Sequence, residues 1–153
     1  MDVVVETKIG IQAPLGHVWE ILSDFSRYME WNPLIVRAEG PLIRGNRIAI
    51  SVRLPEREPM NFHPTLLALE EKKEIRWLGS LPVPGLFSGE HAFVLTERAD
   101  GSMHLVHRER FRGFLVLLLS RRWFERVRHG FEAMNEALKA RAEKDGVESF
   151  RKW

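Results

Sequence analysis

A chain of 153 residues, 44% hydrophobic and 29% charged with a formal net charge of +2, has an ordinary globular composition and enough length to bury a substantial core. So slight an excess of positive charge, with no recognition motif around the arginines, argues against a nucleic-acid partner. The absence of cysteine removes disulfides, thiolate nucleophiles and cysteine-based metal or redox sites. The sequence opens MDVVVETKIGI, with an acid where a signal peptide carries basic residues, so a cytoplasmic location is expected. Without repeats or linker-like stretches, residues 1–153 are expected to form one domain.

Residues 3–11 are rich in β-branched side chains and predict a first strand. Pro14 suits a first helical position, and Val18, Ile21, Leu22 and Phe25 then space a helix of about three turns that Asp24 and Ser26 end or break. A short helical turn over 26–30 leads into Trp31-Asn32-Pro33, where the residue before proline is driven toward extended backbone. Six strand candidates follow at 34–40, 46–54, 59–70, 74–79, 88–97 and 103–113, with Gly40-Pro41, Gly45-Asn46, Pro55 and Asp100-Gly101 among the turn signals between them. Ile48, Ile50, Val52 and Leu54 alternate with polar or small residues and give one buried face. Pro64 inside 59–70 marks an edge position or a bulge.

Residues 114–143 carry the longest helical pattern, with an apolar stripe of Leu117, Phe124, Val127, Phe131, Met134, Leu138 and Ala142. A chain of strands closed by one amphipathic helix must bury that stripe on its own sheet. Either the whole stripe is core, or Phe124, Phe131 and Met134 in its middle roof a cavity with adaptable apolar side chains. The apolar run 114–119 is too short to span a bilayer. With Arg121, Arg122, Arg126 and Arg128 beside it, peripheral contact with a membrane surface stays open, against the plainer reading of a solvated helix face interrupted by Glu125, Glu132 and Glu136.

Four segments, in order, resemble the START-like or SRPBCC superfamily: Tyr28-Met29-Glu30-Trp31-Asn32-Pro33, Ile75-Arg76-Trp77-Leu78-Gly79, Gly89-Glu90-His91-Ala92-Phe93-Val94-Leu95, and His107-Arg108-Glu109-Arg110-Phe111-Arg112-Gly113. Asn135 and Leu138 in the last helix fit the same likeness, which runs over nearly the whole chain and is nearest to the polyketide cyclase/dehydrase and lipid-transport branch. The resemblance implies an α+β helix-grip fold, in the order β-α-α-β6-α. A seven-stranded antiparallel sheet would curve around the long C-terminal helix and leave a largely apolar cavity. It does not select an activity, because the superfamily includes lipid carriers, hormone receptors and aromatase/cyclases.

The last two strands can be put in register from the sequence. A three-residue loop Ala99-Asp100-Gly101, with Gly101 in the left-handed position, pairs Arg98 with Ser102 and sets His91 opposite Glu109, Phe93 opposite His107, and Leu95 opposite Leu105. Those residues and Phe111 share the inward face, while Arg108, Arg110 and Arg112 point outward. For His91 and Glu109 three readings compete: a mutually satisfied structural pair, recognition of the polar head of an apolar ligand, and a general acid/base with Glu109 orienting His91. No nucleophile or oxyanion arrangement accompanies the third. His107 would complete a loose two-histidine, one-carboxylate set, but no HxH or HExxH spacing supports a metal site, and neither metal nor cofactor is expected.

Trp31 and Trp77 read as core residues first and as cavity-shaping residues second. The loop 81–87, apolar and stiffened by two prolines, reads as a lid or entry rim, or as an ordinary loop packed on the last helix. The expected ligand-binding set is therefore Trp31, Trp77, His91, Phe93, His107, Glu109, Phe111, Phe124, Phe131 and Met134. A noncatalytic carrier of a small hydrophobic molecule such as a lipid, aromatic polyketide or isoprenoid ranks ahead of a cyclase/dehydratase using His91 and Glu109. A partner-binding module built on the 81–87 loop ranks third.

Overall fold

A computed structural model describes residues 2–151, with side chains for 2–144. The β-branched start forms β1 (Asp2–Ile11), and Pro14 stands just before α1 (Leu15–Ser23). A 3-10 segment follows at Phe25–Glu30, and the Tyr28 hydroxyl donates to the Leu22 carbonyl in a wholly buried contact. Asn32 Oδ1 then accepts from the backbone N–H groups of Leu34 at 3.0 Å and Ile35 at 2.9 Å. This side-chain turn starts β2 (Ile35–Glu39), so Trp-Asn-Pro works as a structural corner.

The remaining strands are β3 (Ala49–Val52), β4 (Met60–Phe62), β5 (Thr65–Glu70), β6 (Glu74–Ser80), β7 (Ser88–Glu97) and β8 (Met103–Arg112). They pair antiparallel as a five-stranded sheet in the order β1-β8-β7-β6-β5 and a three-stranded sheet in the order β2-β3-β4. This corrects the expected single seven-stranded sheet. The candidate at 59–70 splits at His63-Pro64, because proline has no N–H to continue the ladder. The chain changes sheets there: Ile48 donates to the Pro64 carbonyl at 2.9 Å and Leu66 to the Asn46 carbonyl at 2.9 Å, which ties the two sheets together at one corner.

The β7–β8 hairpin has the expected register. Gly101 sits at φ 86°, Arg98 N–H donates to the Ser102 carbonyl at 2.8 Å, and His91 pairs with Glu109.

The last helical pattern is broken. A 3-10 turn at Phe114–Leu118 precedes α2 (Arg121–Arg151), and Ser120 Oγ caps the helix by accepting from Trp123 N–H at 3.1 Å. Leu117 therefore leaves the stripe: Phe114, Leu117 and Leu118 are 76%, 59% and 79% exposed, whereas Val127, Phe131, Met134, Leu138 and Ala142 are buried against β1, β8 and α1.

Gly113 makes the corner between β8 and the 3-10 turn at φ 113°, where an added Cβ would stand 2.5 Å from the Leu86 carbonyl oxygen. Gly113→Ala is expected to cost about 1–3 kcal/mol from backbone strain alone. Chemical denaturation measures this, and an unchanged midpoint would show that the corner relaxes freely.

Candidate functional site

A cavity of about 170 Å³ lies where the small sheet, the β6–β8 part of the large sheet and the first turns of α2 meet. Leu34, Ile50 and Leu54 wall it on one side, Trp77 and Phe111 on another, and Trp123, Val127 and Phe131 of α2 on the third. Met60, Phe62 and Leu81 form a rim, each 42% exposed. Apart from the two indoles, the only polar side chains in the lining are Ser80, His91 and Glu109. An apolar space with a few polar groups at one end is the usual form of a small-molecule site.

His91, ion-paired with Glu109, opens a buried chain of hydrogen bonds. Glu109 Oε2 lies 3.5 Å from His91 Nδ1, and His91 Nε2 is 2.8 Å from His107 Nε2. His107 Nδ1 is 2.8 Å from Asn135 Oδ1 on α2, Asn135 Nδ2 donates to Thr7 Oγ1 at 2.8 Å, and Thr7 donates to the His107 carbonyl at 3.1 Å. The chain thus runs from the cavity surface through β7 and β8 to the helix and back to β1. Thr7, His91, His107 and Asn135 are all buried, as such a satisfied network allows.

Aromatic rings enclose the histidines. Trp77 stacks on His91 at 4.8 Å and 14°, and Phe131 stacks on His107 at 4.1 Å and 7°. Burial, and then the neighbouring His91, hold the His107 imidazole well below the ordinary range, so the ring is neutral, against the opposing pull of the Asn135 hydrogen bond.

The proton positions follow by elimination. Asn135 gives its amide hydrogens to Thr7, so its oxygen accepts and His107 Nδ1 is the donor. Neutral His107 then presents a lone pair at Nε2, and His91 Nε2 must carry the hydrogen between the two rings.

Gly89 sets the place of the carboxylate. It lies opposite Phe111 in the ladder, and a Cβ there would stand 2.6 Å from Glu109 Oε1. Any side chain at 89 would push the carboxylate out of its seat.

Of the ten residues expected at a ligand site, Trp77, His91, Glu109, Phe111 and Phe131 line the cavity. The other five lie elsewhere. Trp31 packs edge-on against Tyr28 at 5.2 Å, and Phe124 packs against Phe111 and Trp123. Phe93 and His107 are fully buried one layer deeper, because side chains on adjacent strands of one face close over each other where α2 presses on the sheet. Met134 is 1% exposed, in the solid core that begins beyond Phe131. The wall formed by the small sheet, together with Gly89, Trp123 and Val127, escaped the sequence reading. Trp123 and Val127, one turn apart ahead of Phe131, carried a usable signal.

The two histidines also spend their Nε2 atoms on each other rather than converging on a common point, so no facial triad forms with Glu109. Among the described residues no group of three or more His, Asp or Glu side chains is placed to hold a metal ion. The 81–87 loop is tied to the 3-10 turn at the start of the last helical region, through Phe114 N–H to the Gly85 carbonyl at 3.1 Å and Leu115 N–H to the Leu86 carbonyl at 3.0 Å. Its ends, Leu81 and Phe87, reach the cavity.

A large antiparallel sheet, a long last helix and an apolar space between them define a START-like architecture. The chain belongs to the polyketide cyclase/dehydrase and lipid-transport family, whose model matches residues 2–143. Among solved structures it is similar to the Zhui aromatase/cyclase from Streptomyces sp. R1128, with a TM-score of 0.75 and 19% identity over 94% of this chain and 95% of that one. It is also similar to a START superfamily protein from Mycobacterium smegmatis, with a TM-score of 0.72 and 19% identity over 92% of this chain and 97% of that one. At such identities these likenesses establish the fold alone. No curated protein matches the sequence. No helix among the described residues is long and apolar enough to cross a membrane.

Proposed function

We propose that the protein binds and carries a small hydrophobic molecule in the cavity between the two sheets and α2. The observation that carries this reading is the lining itself: apolar on three sides, with His91 and Glu109 meeting at one end, Ser80 the other non-aromatic polar side chain, and an exposed apolar rim leading in. Removing an apolar ligand from water into such a space contributes roughly 25 cal/mol per Å² of buried surface.

Native mass spectrometry of protein purified from its own cells is expected to show an adduct that denaturation releases. Val127→Phe, which places a ring in the cavity from the helix side, should weaken rebinding of the extracted molecule at least tenfold. Retained affinity in this variant, with the fold intact, would move the site elsewhere.

A second reading rests on the His91–Glu109 pair, a histidine and a carboxylate 3.5 Å apart at the cavity surface. In that reading the pair moves a proton on a bound cyclisable or dehydratable substrate. A turned-over product in the extract, lost in both His91→Gln and Glu109→Gln, supports it. Unchanged turnover in either variant removes it.

A further inference from the structure

The 3-10 turn after β8 is apolar throughout, yet of its five residues Val116 alone is buried. Phe114, Leu117 and Leu118, spaced i, i+3 and i+4, project into solvent. Scattered exposed apolar side chains are ordinary, whereas a contiguous set calls for a partner. This set is extended by a second segment. The backbone hydrogen bonds from Phe114 and Leu115 to Gly85 and Leu86 fix the turn beside the loop that carries Leu81 and Val83, both exposed as well.

The charge around this end of the molecule is basic. Leu81, Val83 and Arg112 border one open surface depression, and Arg121 and Arg122 follow the turn, both exposed. Residues 80–89 carry no charge, and residues 110–124 carry Arg110, Arg112, Arg121 and Arg122 without an acid. Two acids reach these arginines from other segments, Asp2 to Arg112 at 3.1 Å and Glu125 to Arg121 at 3.4 Å. Both are exposed pairs, which water screens and which hold their partners weakly. Arg128 turns away, donating to the Glu6 carbonyl at 2.8 Å.

We propose that the 3-10 turn and the 81–83 end of the loop dock on an anionic lipid bilayer. Phe114, Leu117, Leu118 and Val83 enter the interfacial layer, and Arg112, Arg121 and Arg122 meet lipid phosphates. Protruding apolar side chains flanked by arginine suit that interface, where apolar burial and attraction to anionic headgroups act together. A second copy of the chain fits worse, because a two-fold contact through this patch sets the same arginines against one another. The ends of the docked loop, Leu81 and Phe87, also line the cavity. Exchange of an apolar ligand with the membrane is therefore a consequence that rests on the carrier reading; the docking itself does not.

The test mixes the full chain with sedimentable vesicles of phosphatidylcholine, alone or with one quarter phosphatidylglycerol. At low salt, partition onto the anionic vesicles is expected to be at least tenfold greater than onto the neutral ones, and to fall as salt is raised. Phe114→Ser combined with Leu118→Ser should lower anionic partition at least tenfold. Arg121→Ser combined with Arg122→Ser should bring it toward the neutral-vesicle value. All four positions are exposed, and an unaltered thermal midpoint verifies that each variant keeps its fold.

Equal partition onto the two kinds of vesicle, or onto neither, overturns docking whether or not the protein retains an apolar adduct, so docking and carriage fail separately. Unchanged partition in the Phe114→Ser, Leu118→Ser variant overturns it too. So does a concentration-dependent dimer in sedimentation that this variant abolishes, since the patch then belongs to a second copy.

Discussion

Phe131→Ala is expected to lower the stability of the protein by about 3–5 kcal/mol, the usual cost of removing a fully packed aromatic ring. Phe131 is 2% exposed, stacks on His107 at 4.1 Å and lies 5.1 Å from the His91 ring. Its ring lies in the cavity wall and covers the His107 ring behind it, so truncation does more than lose apolar contact. The new space joins the existing cavity and admits water to groups now kept dry. Denaturant unfolding measures the loss. A change below about 1 kcal/mol would show that the helix slides to refill the gap and that the ring is not a partition.

His107→Phe should be nearly as damaging, and it carries a pH signature. The substitution leaves the His91 Nε2–H and the Asn135 oxygen without partners inside the core, at about 1–3 kcal/mol for each unsatisfied group. In the unaltered protein the folded state keeps His107 neutral below the ordinary imidazole value of 6.5, chiefly by burial and secondarily through His91. The unfolded chain protonates at that value, so below it the unfolded state binds more protons and stability rises with pH. The contribution is therefore complete above about pH 6.5 and is lost progressively as the pH falls below it, by up to about 1.4 kcal/mol per pH unit for one proton. Thr7, Asn135, Phe93 and Phe131 around the ring do not titrate, which leaves His91 as its titratable neighbour. Unfolding curves at pH 7.5 and pH 5 should show the stability of the unaltered protein falling with acid, with a shallower fall in His107→Phe. Parallel slopes would mean that His107 takes up its proton in the folded state as readily as in the unfolded one.

How far the sequence disclosed these features depended on whether a signal was local. The β7–β8 register was legible because a three-residue turn with Gly101 in the left-handed region and two alternating strands admit only one pairing that keeps the apolar residues together. That pairing placed His91 opposite Glu109 without a structure. The division at Pro64 was half legible: proline announced an interruption, but the choice of which sheet each side joins depends on Ile48 and Asn46, far back along the chain. The 3-10 turn at Phe114–Leu118 was hidden because its apolar residues continue the helical spacing, and Ser120, a good cap, was the one local mark of the break. The deeper half of the polar chain was not readable at all. Asn135 reaches His107 only because α2 crosses β8 at that point, and the seat that Gly89 leaves for the Glu109 carboxylate depends on the close approach of two strands.

Asn135 bonds to Thr7 across 128 positions of sequence. During synthesis, β1 has left the ribosome long before Asn135 does, and the hairpin precedes it too. Until α2 arrives, the Nδ1 side of His107 has no partner and the face that packs under Phe131 is open to water. The hydrogen-bonded centre can close only as one of the last events in the maturation of this domain, so a released chain truncated ahead of residue 135 would display an unfinished sheet whose wet apolar face is a target for chaperones.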